Sequence, residues 1–556
     1  MSLELKSLLD LPVELIHHVL ELLDAPSLLQ VKLVSRRLAT MIESSISLRY
    51  HIQLHVADLI DNPFCSRSKA ERLRLLDTHQ RAWNNVARSS VQEIPFTDGA
   101  GSASTLRAWE LTNGTLGLAE NHSIRFVQLP SRLRGISQSE WVIASFDFVI
   151  KDFAMDKSQD LLVVIERGID APGAQGFLRI HIRSLSTGKP HPHAKEPTIS
   201  RRVGVADADP DWSIVQIYGS CVAVLLQAEV EDLYQGIFRM SSELAFCNWK
   251  TGSTTTVITG PFTAFAFLTE EQVVLAMSWS DLGNTFQARD SGSLEVIDIT
   301  NAPSILKIED LPVVSASSHP SFKWRSFKLP ALSDDAAAEI RPSLSIHTNY
   351  SPAFSGAGDD VPFTTSPEDR LYVISFKELL ADNDLVLFVR LASLLSLLED
   401  APSPRHTFPW EDWGPTNTRM VEGYISDTWV CCVHGLRAIL VPWFGKHVAD
   451  IWDFNQRRLR RNDGGGVLPS SDLTVPEEGD CTPVSEQPGY CLSPTQINPS
   501  GRDYDALFER DVITSLPCSI RPFASPDDKR DEQYFMMSED SLVLVLDDEK
   551  FIIASF

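Results

Sequence analysis

From about residue 94 to its end, the sequence repeats a two-part unit of short apolar runs. The first part is a pair of β-branched and aromatic runs around a polar turn, and the second is an apolar run that ends at a corner. Strand pairs of the first kind are predicted at 146–165, 212–226, 262–277, 421–433 and 534–546. Corners that follow a strand are predicted at Gly188, Gly252 and Asn301. So many short strands can bury their apolar residues only in a large, mainly-β body.

A repeat length of roughly fifty residues is typical of a β-propeller, in which each blade is one small antiparallel sheet. The region resembles divergent propellers of the WD40 kind, although it lacks their Gly-His and Trp-Asp repeats. We expect five to seven blades. The last runs, 542–546 and 550–556, are predicted to pair with early strands at 105–111 and 123–129, which would close the ring and leave few exposed edges. A large β-sandwich or two stacked sheets is the alternative.

Three segments interrupt the repeat and are predicted to be insertions between strands, at 315–369, 379–398 and 462–503. The first and third are rich in Pro, Ser, Gly and acidic residues, and the third contains Gly464-Gly465-Gly466. The second is rich in leucine and predicts one or two helices. Because loops on a rigid ring often carry recognition, each insertion is a candidate binding surface.

The first fifty residues differ from the rest, because their large apolar residues recur at helical spacing. Helices are predicted to begin after Pro12, near Asp24 and at Ser35, whose hydroxyl suits a helix N-cap. Three short helices carry more apolar surface than a unit of this size can bury. Part of that surface is therefore predicted to dock on another protein. The alternative is a helical cap that contacts only its own chain.

The pattern between Leu8 and Leu48 resembles the F-box motif. The residues that stand where this family places them are Leu11-Pro12, Glu14-Leu15, Ile16, Leu20, Leu28, Val31 and Val34-Ser35-Arg36. Leu38 stands where many members carry Trp. The resemblance implies that the motif binds the adaptor Skp1 and, through it, a cullin-RING ubiquitin ligase. It assigns the Skp1-binding surface to Leu11, Pro12, Leu15, Ile16, Leu20, Leu28, Val31 and Val34.

The residues after this motif predict helices at 50–59 and 68–83. An Ala-Glu-Arg-Leu run that ends near Trp83 resembles the connector of many fungal F-box proteins, and it would act as a semi-rigid spacer. The predicted fold class is therefore α+β and multidomain. It comprises a three-helix F-box at 1–48, a helical linker at 49–95 and a mainly-β, propeller-like domain at 96–556.

The composition excludes some classes of partner. The chain has 49 Lys and Arg against 74 Asp and Glu, a net charge of −25, so most of its surface should repel nucleic acids and anionic membranes. No apolar run is long enough to span a bilayer, and residues 1–6 do not resemble a signal peptide. The eight cysteines are scattered, which is typical of reduced core residues. We therefore expect a cytoplasmic or nuclear protein.

The motifs of common enzymes and metal sites are absent from the sequence. There is no Gly-x-Ser-x-Gly elbow and no phosphate loop, and His181, His191 and His193 lack the neighbouring cysteines or acids of a metal site. The prediction is a protein that is not an enzyme and has no cofactor or metal. An enzyme with a helical cap is kept as an alternative, because propeller loops can assemble a site from distant residues.

One strongly basic run stands out in the acidic chain. Its members, Arg457, Arg458, Arg460 and Arg461, follow a predicted strand. One interpretation is a solvated turn, and the other is a docking site for an acidic or phosphorylated substrate, since guanidinium groups bind phosphate in bidentate fashion. The predicted function is the substrate receptor of a Skp1-cullin-F-box ligase, with a Skp1-binding scaffold independent of cullin as the alternative.

Overall fold

The computed structural model describes most of the 556 residues. The described ranges are 8–96, 107–169, 175–203, 213–232, 237–277, 292–308, 311, 321–339, 343–350, 360–377, 384–423, 432–441, 449–462, 489–498, 506–524, 533–546 and 550–556. The glycine run at 464–466, Cys431 and the predicted strand segment 105–106 lie outside them.

The described N-terminal part of the chain contains five α-helices, four of which start within one residue of the predicted position. They are α1 (Val13–Glu21), α2 (Ala25–Val34), α3 (Arg36–Ser44), α4 (Ile46–Ala57) and α5 (Lys69–Asn85). Pro12 is the N-cap residue of α1. The side chains of Asp24 and Ser35 accept hydrogen bonds from the amides of Ser27 and Leu38, so each satisfies a free amide at a helix start.

The predicted helical linker also contains strands. After α4, Leu59–Asp61 pairs antiparallel with Phe363–Thr365 from the propeller. After α5, Ser90–Pro95 forms a strand of the seventh blade, as described below. Residues 49–95 are therefore partly integrated into the ring, although the limits of the predicted domains stay a prediction.

The rest of the chain forms seven antiparallel sheets, which are the blades of a β-propeller. Blade 1 consists of Ala108–Thr112, Thr115–Ala119, Ile124–Gln128 and Ser139–Ile143. Blade 2 consists of Asp152–Asp156, Leu161–Ile169, Gly176–Ser184 and Thr198–Arg202. Blade 3 consists of Ser213–Tyr218, Cys221–Asp232, Ile237–Asn248 and Ser253–Gly260, with Ile305–Lys307 added in parallel at its edge.

The remaining blades follow in chain order. Blade 4 consists of Phe262–Phe267, Gln272–Met277, Ser293–Asp298 and Trp324–Lys328, with Arg405–Phe408 added in parallel. Blade 5 consists of Ser343–His347, Leu371–Lys377, Leu385–Arg390 and Thr418–Glu422. Blade 6 consists of Val433–His434, Arg437–Leu440, Ala449–Asp453 and Cys518–Phe523, with Gly489–Cys491 at its outer edge. Blade 7 consists of Gln533–Met537, Ser541–Leu546, Lys550–Ser555 and Ser90–Pro95.

The seven sheets surround one axis. The first strands of blades 1 and 2, of blades 2 and 3, and of blades 4 and 5 contact each other, which places first strands innermost. The apolar core lies between neighbouring sheets, for example where Leu116 and Leu118 of blade 1 meet Val543 and Phe551 of blade 7. The propeller prediction is thus confirmed with seven blades, and the alternative of a β-sandwich is wrong.

The ring is closed by a strand that the sequence analysis assigned to the linker. Ser90–Pro95 pairs antiparallel with Lys550–Ser555, with Ser90 opposite Ser555 and Pro95 opposite Lys550. The prediction that an early strand pairs with the last is confirmed, but the predicted partners are wrong. The strands within 105–111 and 123–129 instead belong to blade 1, because they flank its second strand as a continuous meander.

All three predicted insertions carry strands of blades. The segment 315–369 contains Trp324–Lys328 and Ser343–His347, together with the short helix α6 (Asp334–Glu339). In the segment 379–398, Leu385–Arg390 is the third strand of blade 5, and only Leu391–Glu399 is helical (α7). Leucine-rich residues buried on both faces suit a strand as well as a helix, which explains the error. The predicted pair at 421–433 is also wrong, since Glu422 ends blade 5 and Val433 begins blade 6.

Two further helices lie between blade strands, α8 (Trp410–Asn417) in blade 5 and α9 (Gln456–Asn462) in blade 6. Of the third predicted insertion, 462–503, the structure describes Asn462 and residues 489–498. The latter include the outer strand of blade 6 and Thr495–Ile497, which pairs with Val512–Thr514 as a separate ribbon.

We expect Ile94→Ala to destabilise the closed ring, because Ile94 is buried in the core between blades 7 and 1. Removing a buried isoleucine side chain costs about 2–5 kcal/mol. Val91→Ala is the matched control, since Val91 lies on the same strand but is 46% exposed. Thermal unfolding of both variants measures the difference, and equal melting temperatures would contradict the role of this strand in closure.

Candidate protein-docking surface

An apolar surface covers the outside of α1 and α2. Of the seventeen large apolar residues that are exposed in the described ranges, nine lie between residues 8 and 34. They are Leu8, Leu11, Val13, Leu15, Val19, Leu22, Leu29, Leu33 and Val34. Large exposed apolar patches are typical of binding sites for other proteins. Covering one such leucine or valine contributes on the order of 1.5–3 kcal/mol, so this surface can support a stable complex.

The residues predicted to bind Skp1 fall into two groups. Leu11, Pro12, Leu15 and Val34 are exposed, and Val31 is half-buried, so these five are accessible to a partner. The others, Ile16, Leu20 and Leu28, are at most 1% exposed and pack against α3 and α4. These three side chains hold the helices together in this structure, and their assignment to the Skp1-binding surface stays a prediction.

The two most exposed members of this surface are not among the predicted Skp1-binding residues. Leu22 is 86% and Leu33 is 88% exposed. A signal for them was present, since Leu15, Val19 and Leu22 recur at helical spacing on a face distinct from that of Ile16 and Leu20. Leu29 and Leu33 are likewise one helical turn apart on α2.

The helices α4 and α5 are fixed to the propeller by an apolar contact. Phe363, from the connection between the first and second strands of blade 5, is fully buried among side chains of α4 and α5. The residues around it are Tyr50, Leu54, Leu59, Leu73, Leu75 and Leu76. This contact joins the helices and the ring into one body.

Hydrogen bonds to backbone groups reinforce this contact. The Tyr50 hydroxyl donates to the carbonyl oxygen of Pro362 at 3.2 Å, and the Asn62 side-chain amide donates to that of Val361 at 2.8 Å. From blade 6, the Asn455 side-chain amide donates to the carbonyl oxygen of Val56 at 2.9 Å. Backbone partners fix the position of a helix more firmly than pairs of mobile surface side chains, because the backbone has few alternative conformations.

Trp83 anchors the end of α5 on blade 7. Its ring stacks on Phe556 with centroids 4.2 Å apart, and its indole N–H donates to the carbonyl oxygen of Glu539 at 2.9 Å. The Arg437 guanidinium lies 4.8 Å from the same ring. Trp83 is 2% exposed. An aromatic side chain with its polar group satisfied is a strong fixed contact.

A buried group of charges lies beside Trp83. His79 Nε2 of α5 is 3.1 Å from Asp540 Oδ1, and Arg134 of blade 1 pairs with both Asp540 and Glu539. Although burial opposes it, the charges of Arg134 and His79 hold the pKa of Asp540 well below its usual range. Burial raises the pKa of Glu539. Asp540 therefore stays ionised and links α5 to blades 1 and 7 at once.

The basic run of the sequence lies on α9, at the same junction. Arg457 pairs with Asp58 at 2.9 Å, Arg458 with Asp453 at 3.1 Å, and Arg461 donates to the Gln53 side-chain oxygen at 2.7 Å. Although burial opposes it, Arg458 and Arg437 hold the pKa of Asp453 down to about 2. Arg460 is exposed. Three of the four arginines thus bind the chain itself, and a role in docking substrate stays a prediction that Arg460 best supports.

A cavity of about 700 Å³ opens on the face of the ring that holds α4 and α5. It is lined by Lys157, Ser158, Gln159, Asp160, His193, Trp249 and Lys250 of blades 2 and 3. These residues lie in connections between the first and second strands or between the third and fourth strands of their blades. The propeller segments that hold α4 and α5 lie in connections of the same two kinds. In an antiparallel blade, both kinds of connection lie at the same end of the strands. The cavity therefore shares a face with the docked helices.

The described residues contain no group of three or more His, Cys, Asp or Glu suited to a metal ion. Within the same ranges, every helix is too short or too polar to cross a membrane.

We expect Trp83→Ala to loosen α5 from the ring, because it removes the stacking on Phe556 and the bond to Glu539. Truncating a buried tryptophan costs about 3–5 kcal/mol. Hydrogen–deuterium exchange of α5 measures the effect, with Arg81→Ala as the control, since Arg81 is exposed on the same helix. Unchanged exchange in Trp83→Ala would show that the junction does not depend on this anchor.

Two arginines of the basic run are expected to affect stability differently when each is replaced by alanine. Loss of Arg458 should lower stability by about 1.5–3 kcal/mol, because its bond is to a buried carboxylate. Arg460→Ala should leave stability unchanged, since this side chain is exposed. Thermal unfolding tests both. If Arg460→Ala weakened binding of an identified substrate without changing stability, the docking hypothesis would gain support, and unchanged binding would argue against it.

Comparisons with known proteins bear on the helices and on the ring. The F-box-like family model matches residues 8–55, which span α1 to α3 and most of α4. No curated protein matches the chain. Solved structures that resemble it include the CNH domain of AfRom2, with 6% identity, a TM-score of 0.33 and coverage of 84% of this chain and 99% of that one.

Two other solved structures are similar at the same low level. The WD40 domain of SCAP from fission yeast has 10% identity and a TM-score of 0.28, over 81% of this chain and 82% of that one. Hsv2 of Kluyveromyces lactis has 8% identity and a TM-score of 0.19, over 51% and 93%. The propeller assignment rests on the seven sheets themselves. The chain thus carries an F-box-like domain at residues 8–55, joined to a divergent seven-bladed β-propeller.

Proposed function

We propose that the protein is the substrate receptor of a Skp1-cullin-F-box ubiquitin ligase. The observation that carries this proposal is the apolar surface of α1 and α2, which is open on one side of an F-box-like domain while the other side is fixed to the ring. F-box domains generally bind Skp1. A propeller generally binds other proteins, so the ring is the natural place for a substrate protein.

The proposed mechanism is proximity. The ring holds a substrate near a ubiquitin-conjugating enzyme that the cullin brings, and this raises the effective concentration of the substrate lysine. The rigid junction supports this mechanism, because a fixed spacer confines the substrate to a small volume. The protein itself performs no chemical step in this scheme. Its site of action would be the cytoplasm or the nucleus.

The cavity beside Lys157 and Lys250 is the candidate place for substrate on the ring. It lies on the face that also holds the F-box-like domain, so a bound protein would be presented on the side where Skp1 docks. Lys250 is exposed at this cavity, and its positive charge suits a segment with acidic residues.

The experiment uses the double variant Leu11→Ala, Pro12→Ala in the full chain. We expect co-purification with Skp1 to fall at least tenfold, since Leu11 and Pro12 are exposed on the proposed surface and losing one buried leucine side chain removes about 2 kcal/mol or more. The control is Ile305→Ala, because Ile305 is 67% exposed on blade 3, far from this surface. Full Skp1 binding by the double variant, with thermal unfolding unchanged, would overturn the proposal.

A second readout separates the substrate receptor from a Skp1-binding scaffold. The intact chain is combined with Skp1, a cullin, its RING partner and a conjugating enzyme, together with proteins captured by affinity purification under proteasome inhibition. A receptor transfers ubiquitin to a captured protein, and the double variant does not. Skp1 binding without assembly on the cullin would favour the scaffold.

A further inference from the structure

Cys491 and Cys518 face each other at the outer edge of blade 6. Cys491 ends the outer strand Gly489–Cys491 and lies directly opposite Cys518 on the adjacent antiparallel strand. Opposed residues of such a pair point to the same face, with Cα atoms roughly 4.5–5.5 Å apart. This lies within the range of about 4.4–6.8 Å that disulfides require. Each thiol also affects the acidity of the other.

A buried arginine lies next to this pair. Arg419 of blade 5 is fully buried, and its guanidinium donates to the carbonyl oxygen of Cys491 at 3.2 Å and to those of Ser493 and Leu516 at 2.8 Å. Its hydrogen-bond partners among the described residues are carbonyl and hydroxyl oxygens. Its positive charge is therefore available to stabilise a nearby thiolate.

The two thiols differ in acidity. The hydrogen bond from Cys518 lowers the pKa of Cys491 to about 6, against the opposing effect of burial, and the charge of Arg419 adds to the lowering. Burial raises the pKa of Cys518 well above its ordinary value. At neutral pH, Cys491 is therefore mostly a thiolate, which is the reactive form, while Cys518 keeps its proton.

Another close pair of cysteines lacks this arrangement. In blade 3, Cys221 lies opposite Asn248, and Cys247 lies opposite Val222. Because neighbouring residues of a strand point to opposite faces, the side chains of Cys221 and Cys247 lie on different sides of the sheet. Burial also raises the pKa of Cys221 to about 12. This pair therefore serves as a control for oxidation within the same protein.

We propose that Cys491 and Cys518 form a peroxide-sensitive dithiol that closes to a disulfide. The Cys491 thiolate attacks one oxygen of hydrogen peroxide, the O–O bond breaks, and a sulfenic acid and hydroxide form. The sulfur of Cys518 then attacks the sulfenic sulfur and the S–O bond breaks. The proton of the Cys518 thiol leaves with the hydroxide as water. Two thiols are oxidised and one peroxide is reduced, and an external dithiol reverses the change.

The disulfide would fix a weakly held part of the ring. The outer strand of blade 6 has only three paired residues. The segment between the two cysteines includes the ribbon of Thr495–Ile497 and Val512–Thr514, and Thr514 accepts a hydrogen bond from the amide of Met420 in blade 5 at 2.9 Å. Oxidation would therefore stiffen the boundary of blades 5 and 6. This inference does not depend on the proposed function of the F-box-like domain.

The experiment exposes the reduced full-length protein to a small excess of hydrogen peroxide, blocks free thiols with N-ethylmaleimide and maps the peptides by mass spectrometry. We expect a cross-link between Cys491 and Cys518 that dithiothreitol removes, while Cys221 and Cys247 stay reduced. The pH profile of iodoacetamide labelling should have its midpoint near 6 for Cys491. Oxidation of Cys221 and Cys247 at the same rate as Cys491, or no cross-link in the folded protein, would overturn the proposal.

Two variants separate the roles of the cysteines. In Cys518→Ser, the sulfenic acid at Cys491 has no partner thiol and should be trapped by dimedone. In Cys491→Ser, Cys518 should stay reduced under the same peroxide exposure. Oxidation of Cys518 in that variant would contradict the assigned order. Circular dichroism checks that both variants fold, and the cross-link in the unmodified chain decides the proposal if one does not.

Discussion

The pairing of Ser90–Pro95 with Lys550–Ser555 is the constraint on which the rest of the structure depends. It joins the two ends of the ring, so that no gap is left between blade 7 and blade 1. It also determines where the helices lie. Only residues 86–89 separate the end of α5 from this strand, so α5 must leave the ring beside blade 7. Trp83 and His79 are thereby brought onto the turn that contains Glu539 and Asp540.

Local signals predicted the helices and many of the blades. Pro12, Asp24 and Ser35 mark real helix starts, because capping is decided by a few neighbouring residues. The strand pairs at 146–165 and 534–546 are present for the same reason. The closing partner could not be predicted this way, because any strand of suitable pattern can take that place. Which of the apolar residues of α1 are buried depends on where α3 and α4 pack, so Ile16 and Leu15 look alike in the sequence and differ in the structure.

The charged residues also show that composition does not determine where a side chain lies in the structure. The chain has a net charge of −25, yet several of its arginines are buried between elements. Arg72, Arg134, Arg419 and Arg521 are each at most 8% exposed. Acidic residues are buried as well, since Asp58, Asp156, Glu243, Glu295, Asp298, Asp369, Asp453, Glu539 and Asp540 are each at most 7% exposed. The net charge calculated from the sequence thus describes solubility and long-range repulsion well. It does not identify the charged groups that are available to a partner.

The seven-fold arrangement of the blades has a consequence for the orientation of a protein bound to the ring. Among the described residues, α4 and α5 are tied to blades 5, 6 and 7, and Asp540 also links α5 to Arg134 of blade 1. A binding site can arise on the connections of any remaining blade without altering this attachment. Moving the site from one blade to the next turns the bound protein by roughly one seventh of a revolution about the ring axis. The blade that carries the site would therefore set the orientation of a bound protein relative to the F-box-like domain.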